Sequence, residues 1–161
     1  MRKTRTLRGQ ITVTGGKGTK QLILSDQLIN RGLRVTGFFI WPDIVTSDTS
    51  RSFSAILSYA DLASADIRMA ASDNSQIAWA WNLQQASADL GTPTAIPSAS
   101  SGYLNQIIDP DHIINRDLFL SFRFSTNATY NYMVVCELET LTDDEAIITI
   151  IKENSQSIEA P

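Results

Sequence analysis

The stretch DLFLSFRFSTNATYNYMVVCEL, Asp117 to Leu138, decides the fold. Leu118, Leu120, Phe122 and Phe124 alternate with Phe119, Ser121 and Arg123. After a polar break at Ser125-Thr126-Asn127, a second extended run carries Tyr130, Tyr132, Val134, Cys136 and Leu138. Side chains of a strand point alternately to opposite faces, so the even-numbered residues form a continuous apolar face that must be buried against another layer. Two such runs across a short break predict paired antiparallel strands on the inner wall of a β-sandwich or barrel.

The alternation recurs upstream. Leu7, Ile11 and Val13 alternate with polar residues, and Gly15-Gly16-Lys17-Gly18 supplies the positive backbone dihedrals of a tight turn. A hairpin is expected there, with a return strand from Lys20 to Ser25. A phosphate loop is disfavoured, because the correctly placed upstream glycine and a Ser or Thr directly after the lysine are missing. Beyond the turn at Asn30-Arg31-Gly32, Leu33, Val35, Phe39 and Trp41 alternate with Arg34, Thr36, Phe38 and Ile40. From Phe38 onward both faces are apolar, which predicts cover on both sides, by a loop or another subunit. Phe53, Ala55, Leu57 and Tyr59 make the next strand. Ile67, Met69 and Ala71, a turn at Ser72-Asp73-Asn74-Ser75, and Ile77, Trp79, Trp81 and Leu83 predict a hairpin with two tryptophans on one face. Residues 84–102, rich in Ala, Ser, Thr and Pro, form the longest expected loop, a length associated with function or interfaces.

Downstream of the decisive stretch the pattern changes. Thr142-Asp143-Asp144-Glu145 fits a capping box, with acids suited to a helix N-terminus, and Ala146, Ile147, Ile150 and Ile151 would share one helical face. The competing reading is a final strand over 142–152, since isoleucine is β-branched and Ile148 interrupts the stripe.

At 161 residues, 43% apolar and 19% charged, the chain has the composition of one globular domain, and no apolar run approaches the length of a membrane span. No apolar segment follows the basic N-terminus, so a secretory signal is not expected and a cytoplasmic product is. Cys136, the chain's single cysteine, excludes an internal disulfide and, inside an apolar strand, reads as a small hydrophobe. The net charge of −4 hides an asymmetry. Residues 1–20 carry six bases and no acid, whereas Glu137 to Pro161 hold seven acids and one lysine. Arg2, Lys3, Arg5 and Arg8 therefore form a candidate basic arm, residues 1–8, able to contact a neighbouring subunit or nucleic acid, or to lie solvated.

Reactive constellations are sparse. His112 between Asp109 and Asp111 lacks a second histidine or cysteine at ligand spacing, so no metal site is expected. No nucleophile elbow surrounds a serine. Asp43, Asp48, Asp61 and Asp66 could act as a glycosidase pair only if folding joined two of them, and they read more simply as turn formers. Asn127-Ala128-Thr129 matches a glycosylation triplet but reads as a turn. Trp79 and Trp81, with Trp41, Tyr103, Tyr130 and Tyr132, suit either a core or subunit interface or a sugar-stacking platform.

Short alternating strands, polar loops and no fixed repeat predict an all-β fold: an antiparallel β-sandwich of jelly-roll type, spanning residues 9–154, with a short C-terminal helix and a polar tail at 155–161. The basic arm ending at Arg8, the alternating strands over Leu7 to Leu138 and the Ser/Thr/Ala-rich loops together resemble the single jelly-roll structural proteins of icosahedral viruses and phages. That resemblance implies a non-enzymatic capsid, vertex or decoration subunit without cofactors. Such a subunit assembles in the host cytoplasm into a virion, through homo-oligomer or other capsid contacts, with a weak nucleic-acid contact through the arm and no membrane insertion. The alternative is a carbohydrate-binding sandwich module with an aromatic face.

Overall fold

Alternation along the chain becomes two facing sheets. The computed structural model describes residues 3–24, 30–43, 53–62, 68–82, 105–124 and 127–156. These form β1 (Lys3–Val13), β2 (Lys17–Leu22), β3 (Arg31–Pro42), β4 (Phe53–Ser58), β5 (Gln76–Asn82), β6 (Asn105–Ile108), β7 (Leu118–Phe124), β8 (Ala128–Thr140) and α1 (Asp143–Gln156). One sheet has the order β1-β8-β3 and the other β2-β7-β4-β5-β6, with every pairing antiparallel. Among the described residues the fold is thus an all-β sandwich with one helix. The expected loop at 84–102 and the tail from 157 lie outside the described residues.

The decisive stretch supplies both walls rather than one. β7 lies between β2 and β4, and β8 between β1 and β3, so the two runs are not paired with each other. Their apolar faces meet across the sandwich, with Phe122 and Tyr130 ring centroids 4.7 Å apart and Phe124 5.1 Å from Tyr130. Leu118, Leu120, Phe122, Tyr130, Val134 and Cys136 are all buried. Crossing between sheets sets two apolar faces against each other, whereas pairing within one sheet would leave both needing a cover. Fully burying each large side chain is worth roughly 1.5–3 kcal/mol.

Of the expected arm at residues 1–8, the part described, from Lys3 onward, is paired backbone. Lys3 through Arg8 are the first half of β1, in register with Leu138 through Met133 of β8. An edge strand draws its stability from the ladder and tolerates charged side chains, so it can look like a solvated tail in sequence. The turn at Gly15 and Gly16 is as expected, with φ of 65° and 83° and reciprocal backbone bonds between Thr14 and Lys17. The hairpin is not: after the single bridge Thr14–Lys17, β1 continues in one sheet and β2 in the other. Lys20 closes the gap, donating to the Gln10 carbonyl at 3.0 Å and lying over the Tyr132 ring.

Two further departures place the aromatic residues. In β3 the register shifts between Val35 and Gly37, so Thr36 is an extra residue and parity reverses. Leu33, Val35, Phe38 and Ile40 face the core, and Phe39 and Trp41 face outward on the other side. Met69 and Ala71 lie outside any strand, and β5 pairs with β4 and β6. Buried Gln76 holds this segment instead. Its amide donates to the Arg68 carbonyl and to Asp73, and its oxygen accepts from the Ala70 N–H and the Trp79 indole N–H.

α1 settles the C-terminal question as a helix. Thr142 and Glu145 form the capping box, the Thr142 N–H donating to Glu145 Oε2 at 2.9 Å and the Glu145 N–H to Thr142 Oγ1 at 3.4 Å. The Thr142 bonds hold the Glu145 carboxyl below its ordinary range. The helix runs to Gln156, two residues past the expected domain end.

Candidate interaction surfaces

The described members of the expected basic site, Lys3, Arg5 and Arg8, lie on two faces of β1. Arg2 lies outside the described residues. Lys3 and Arg5 align with the core-facing residues Leu138 and Cys136, whereas Arg8 aligns with outward-facing Met133. Arg5 is committed to the fold, donating to the Leu24 carbonyl at 2.7 Å across the sandwich mouth. Alternation along a strand splits these cations between two faces, so they make no single patch.

The outer face of the three-stranded sheet carries two neighbouring environments. Phe39 and Trp41 of β3 are substantially exposed, Trp41 at 43%, beside half-buried Met133 and Val135 of β8. Gly37 lets the Phe39 ring lie close, because a β-carbon there would meet Phe39 Cε2 at 2.8 Å. Thr36 Oγ1 satisfies the Val135 carbonyl beside the bulge. Across the sheet from Trp41 the register runs to Asn131 and then Gln10. The Gln10 side-chain amide donates to Asp43 Oδ1 and Asn131 Oδ1, each at 3.1 Å. Thr12 and Thr129 hydroxyls bond to one another in the next row.

The outer face of the five-stranded sheet is drier. Trp79, Ile56 and Ser121 form one cross-strand row, and Trp81, Ser54 and Arg123 the next. Ile56, Ser58 and Ser121 are fully buried there, and Trp79 and Trp81 are half-buried. The tryptophans share a face as expected, but that face is opposite the inter-sheet core. Tyr130 and Tyr132 are core residues and cannot serve as platform tyrosines. Tyr103 lies outside the described residues.

α1 presents an aliphatic surface. Ala146 is buried and Ile150 half-buried, whereas Ile147, Ile148 and Ile151 are 54%, 53% and 59% exposed. At about 100° per residue the three exposed isoleucines occupy a single arc. The expected stripe is therefore divided, its Ala146 and Ile150 side turned inward and its Ile147 and Ile151 side joined by Ile148.

The titratable groups form no reactive centre among the described residues. His112 stacks on Tyr59 at 5.8 Å, and Arg116 lies over the Tyr59 ring. Burial lowers the imidazole pKa to about 4 despite Asp109, so it is neutral at pH 7. Among the described residues, no three His, Cys, Asp or Glu side chains gather into a metal-binding group. Asp43 belongs to the Gln10 cluster, and Asp48 and Asp66 lie outside the described residues. Burial pushes the Cys136 thiol up to about 11, the behaviour of an inert core thiol. Arg34 pairs with Glu139 at 2.6 Å and donates to the Pro110 carbonyl, tying β3 and β8 to the segment before β7. Among the described residues no helix is long and apolar enough to cross a membrane.

Sequence reasoning missed Gln10 and Asn131, because residues 10, 41, 43 and 131 meet only through the β1-β8-β3 order. The exposed isoleucines were accessible from the helical wheel once the capping box fixed the helix. Compared with known family models, curated proteins and solved structures, the chain matches none.

Proposed function

We propose that this chain is a non-enzymatic structural subunit of a virus or phage particle, a jelly roll that acts by associating with copies of itself. The observation that carries the reading is the nesting of strand pairs. β1 pairs with β8, β2 with β7 and β4 with β5, and the bridge from Leu33 to Ile114 supplies the partner of β3. These pairs form a long antiparallel ribbon folded at β4–β5. Rolling that ribbon produces the additional pairings of β3 with β8 and of β4 with β7. A rolled ribbon of this kind supports the jelly-roll reading, an arrangement common in capsid and lectin domains. β6 extends the five-stranded sheet beyond the nest.

Aliphatic side chains on α1 have no polar group to satisfy and suit a protein neighbour. Asp143, Asp144 and Glu145 in the first turn of α1 complement the basic β1, so unlike ends of adjacent copies attract. Nucleic acid has a secondary role in this reading, since Arg5 is already engaged. The site of action is the virion, assembled in the host cytoplasm. Removing residues 1–8 would strip half of β1 and test folding, so the discriminating change lies on α1. Concentrated wild-type protein viewed by electron microscopy should show rings or closed particles, and the Ile147→Asp/Ile151→Asp variant should remain dispersed with an unchanged melting temperature. Dispersed single chains for both would overturn the proposal.

A further inference from the structure

We propose that the Trp41 end of the three-stranded sheet is a binding site for a neutral glycan, formed by Trp41, Gln10, Asn131 and Asp43. This goes beyond the subunit reading and does not rest on it, since one unassembled chain carries the whole site.

Part of the hydrogen-bonding capacity at this end of the sheet is already used. Both hydrogens of the Gln10 amide are committed, one to Asp43 Oδ1 and one to Asn131 Oδ1. These bonds fix three side chains from three different segments in one strip beside the indole. They leave Gln10 Oε1 and Asp43 Oδ2 as acceptors and Asn131 Nδ2 as a donor for a ligand. A sugar hydroxyl donates and accepts at once, and neighbouring hydroxyls present both capacities along one ring edge. The C–H face of the same ring is apolar and packs on an exposed indole. Flat aromatic surface beside convergent polar groups is the composition of a small-ligand site.

Three observations favour a glycan over a protein neighbour at this end of the sheet. A protein covering the strip must replace every polar contact it removes, or bury unsatisfied groups at a cost of roughly 1–3 kcal/mol each, whereas a polyhydroxylated ligand brings its own partners. Trp41 stands on β3 at the sheet edge, and the segment that bridges β3 does so at Leu33, the opposite end of the strand. Phe39 lies two residues back on the same face, about 7 Å along the strand, so a second ring is in place for an adjoining sugar. The site carries one carboxylate, Asp43, and Arg8 aligns with Met133 in the neighbouring row, which gives no concentration of either charge and points to a neutral ligand.

The test uses the full ¹⁵N-labelled chain, titrated with methyl glycosides of glucose, galactose and mannose and the corresponding linear trisaccharides. The three indole N–H signals are assigned from single Trp→Phe variants. At least one sugar should shift the Trp41 signal saturably and leave those of Trp79 and Trp81 in place. Trp41→Ala should weaken that sugar at least tenfold, and Gln10→Ala and Asn131→Ala about fivefold each, the loss of one net hydrogen bond. Asn131→Ala keeps the test open if Trp41→Ala fails to fold. The proposal is overturned if no sugar in the panel moves the Trp41 signal, if Trp79 and Trp81 respond instead, or if folded Trp41→Ala or Asn131→Ala binds as tightly as wild type.

Discussion

The outer faces of the two sheets hold all three tryptophans, yet they are different environments. On the five-stranded sheet Trp79 and Trp81 are half-buried around Ile56, which is fully buried, and the Trp79 indole N–H is satisfied by Gln76 at 2.7 Å. On the three-stranded sheet Trp41 is exposed beside a polar strip whose hydrogen-bonding capacity is only partly used. The first arrangement completes the fold, and the second is available to a ligand. Sharing a strand face says little about role until the neighbours on adjacent strands are known.

Stability measurements separate the two faces. The largest effect should come from Ile56→Ala, which opens a cavity in the dry face and should cost about 2–5 kcal/mol in denaturant unfolding. The matching change Phe39→Ala on the exposed face should cost about 1 kcal/mol or less. Equal losses would erase the distinction.

Acid should act through the half-buried imidazole stacked on Tyr59. The folded pKa of His112 is depressed to about 4, below an unfolded value of about 6.5. The unfolded chain therefore binds the proton first. The stabilising contribution is complete above pH 6.5 and is lost as pH falls toward 4, by roughly 2–3 kcal/mol. His112→Phe should flatten the stability profile across that window, and an unchanged slope would place the acid sensitivity elsewhere.

Gly37→Ala sharpens the account of the exposed face. Its new methyl group meets the edge of the Phe39 ring, which must swing outward, and the cost should be about 1–2 kcal/mol with a displaced Phe39 ring signal in NMR. The smallest effect concerns Ser121, whose buried hydroxyl on the dry face has no hydrogen-bond partner. Ser121→Ala should raise stability by about 0.5–1 kcal/mol. A loss of that size would imply an unrecognised partner for the hydroxyl.

Much of the fold was legible because one face of nearly every strand is buried. Leu118, Leu120, Phe122 and Phe124 announced their wall by period two, and Thr142 with Glu145 announced the start of α1. Partnership was less legible. Nothing local tells β7 and β8 to join different sheets, since pairing depends on which distant strand supplies the neighbouring ladder. The bulge at Thr36 was hidden for a related reason. One extra residue reverses parity, so strict alternation assigns Phe39 and Trp41 to the side of Leu33 and Val35, whereas the folded strand turns them outward. The polar strip beside Trp41 was not legible at all, because its members lie far apart in sequence and have ordinary turn and strand roles when read singly. The charged N-terminal residues show the converse error, since Lys3 and Arg5 look like a tail until the β8 ladder claims them.

The central claim is self-association, and absolute mass in solution tests it most directly. Light scattering on the purified chain, at low and high salt, should give a closed oligomer or particle well above one chain. If the basic β1 and acidic α1 meet between copies, as proposed, high salt should weaken it, because exposed charges are screened. Ile147→Asp/Ile151→Asp should reduce the mass to one chain while the fold persists. A clean monomer in both buffers would contradict the claim.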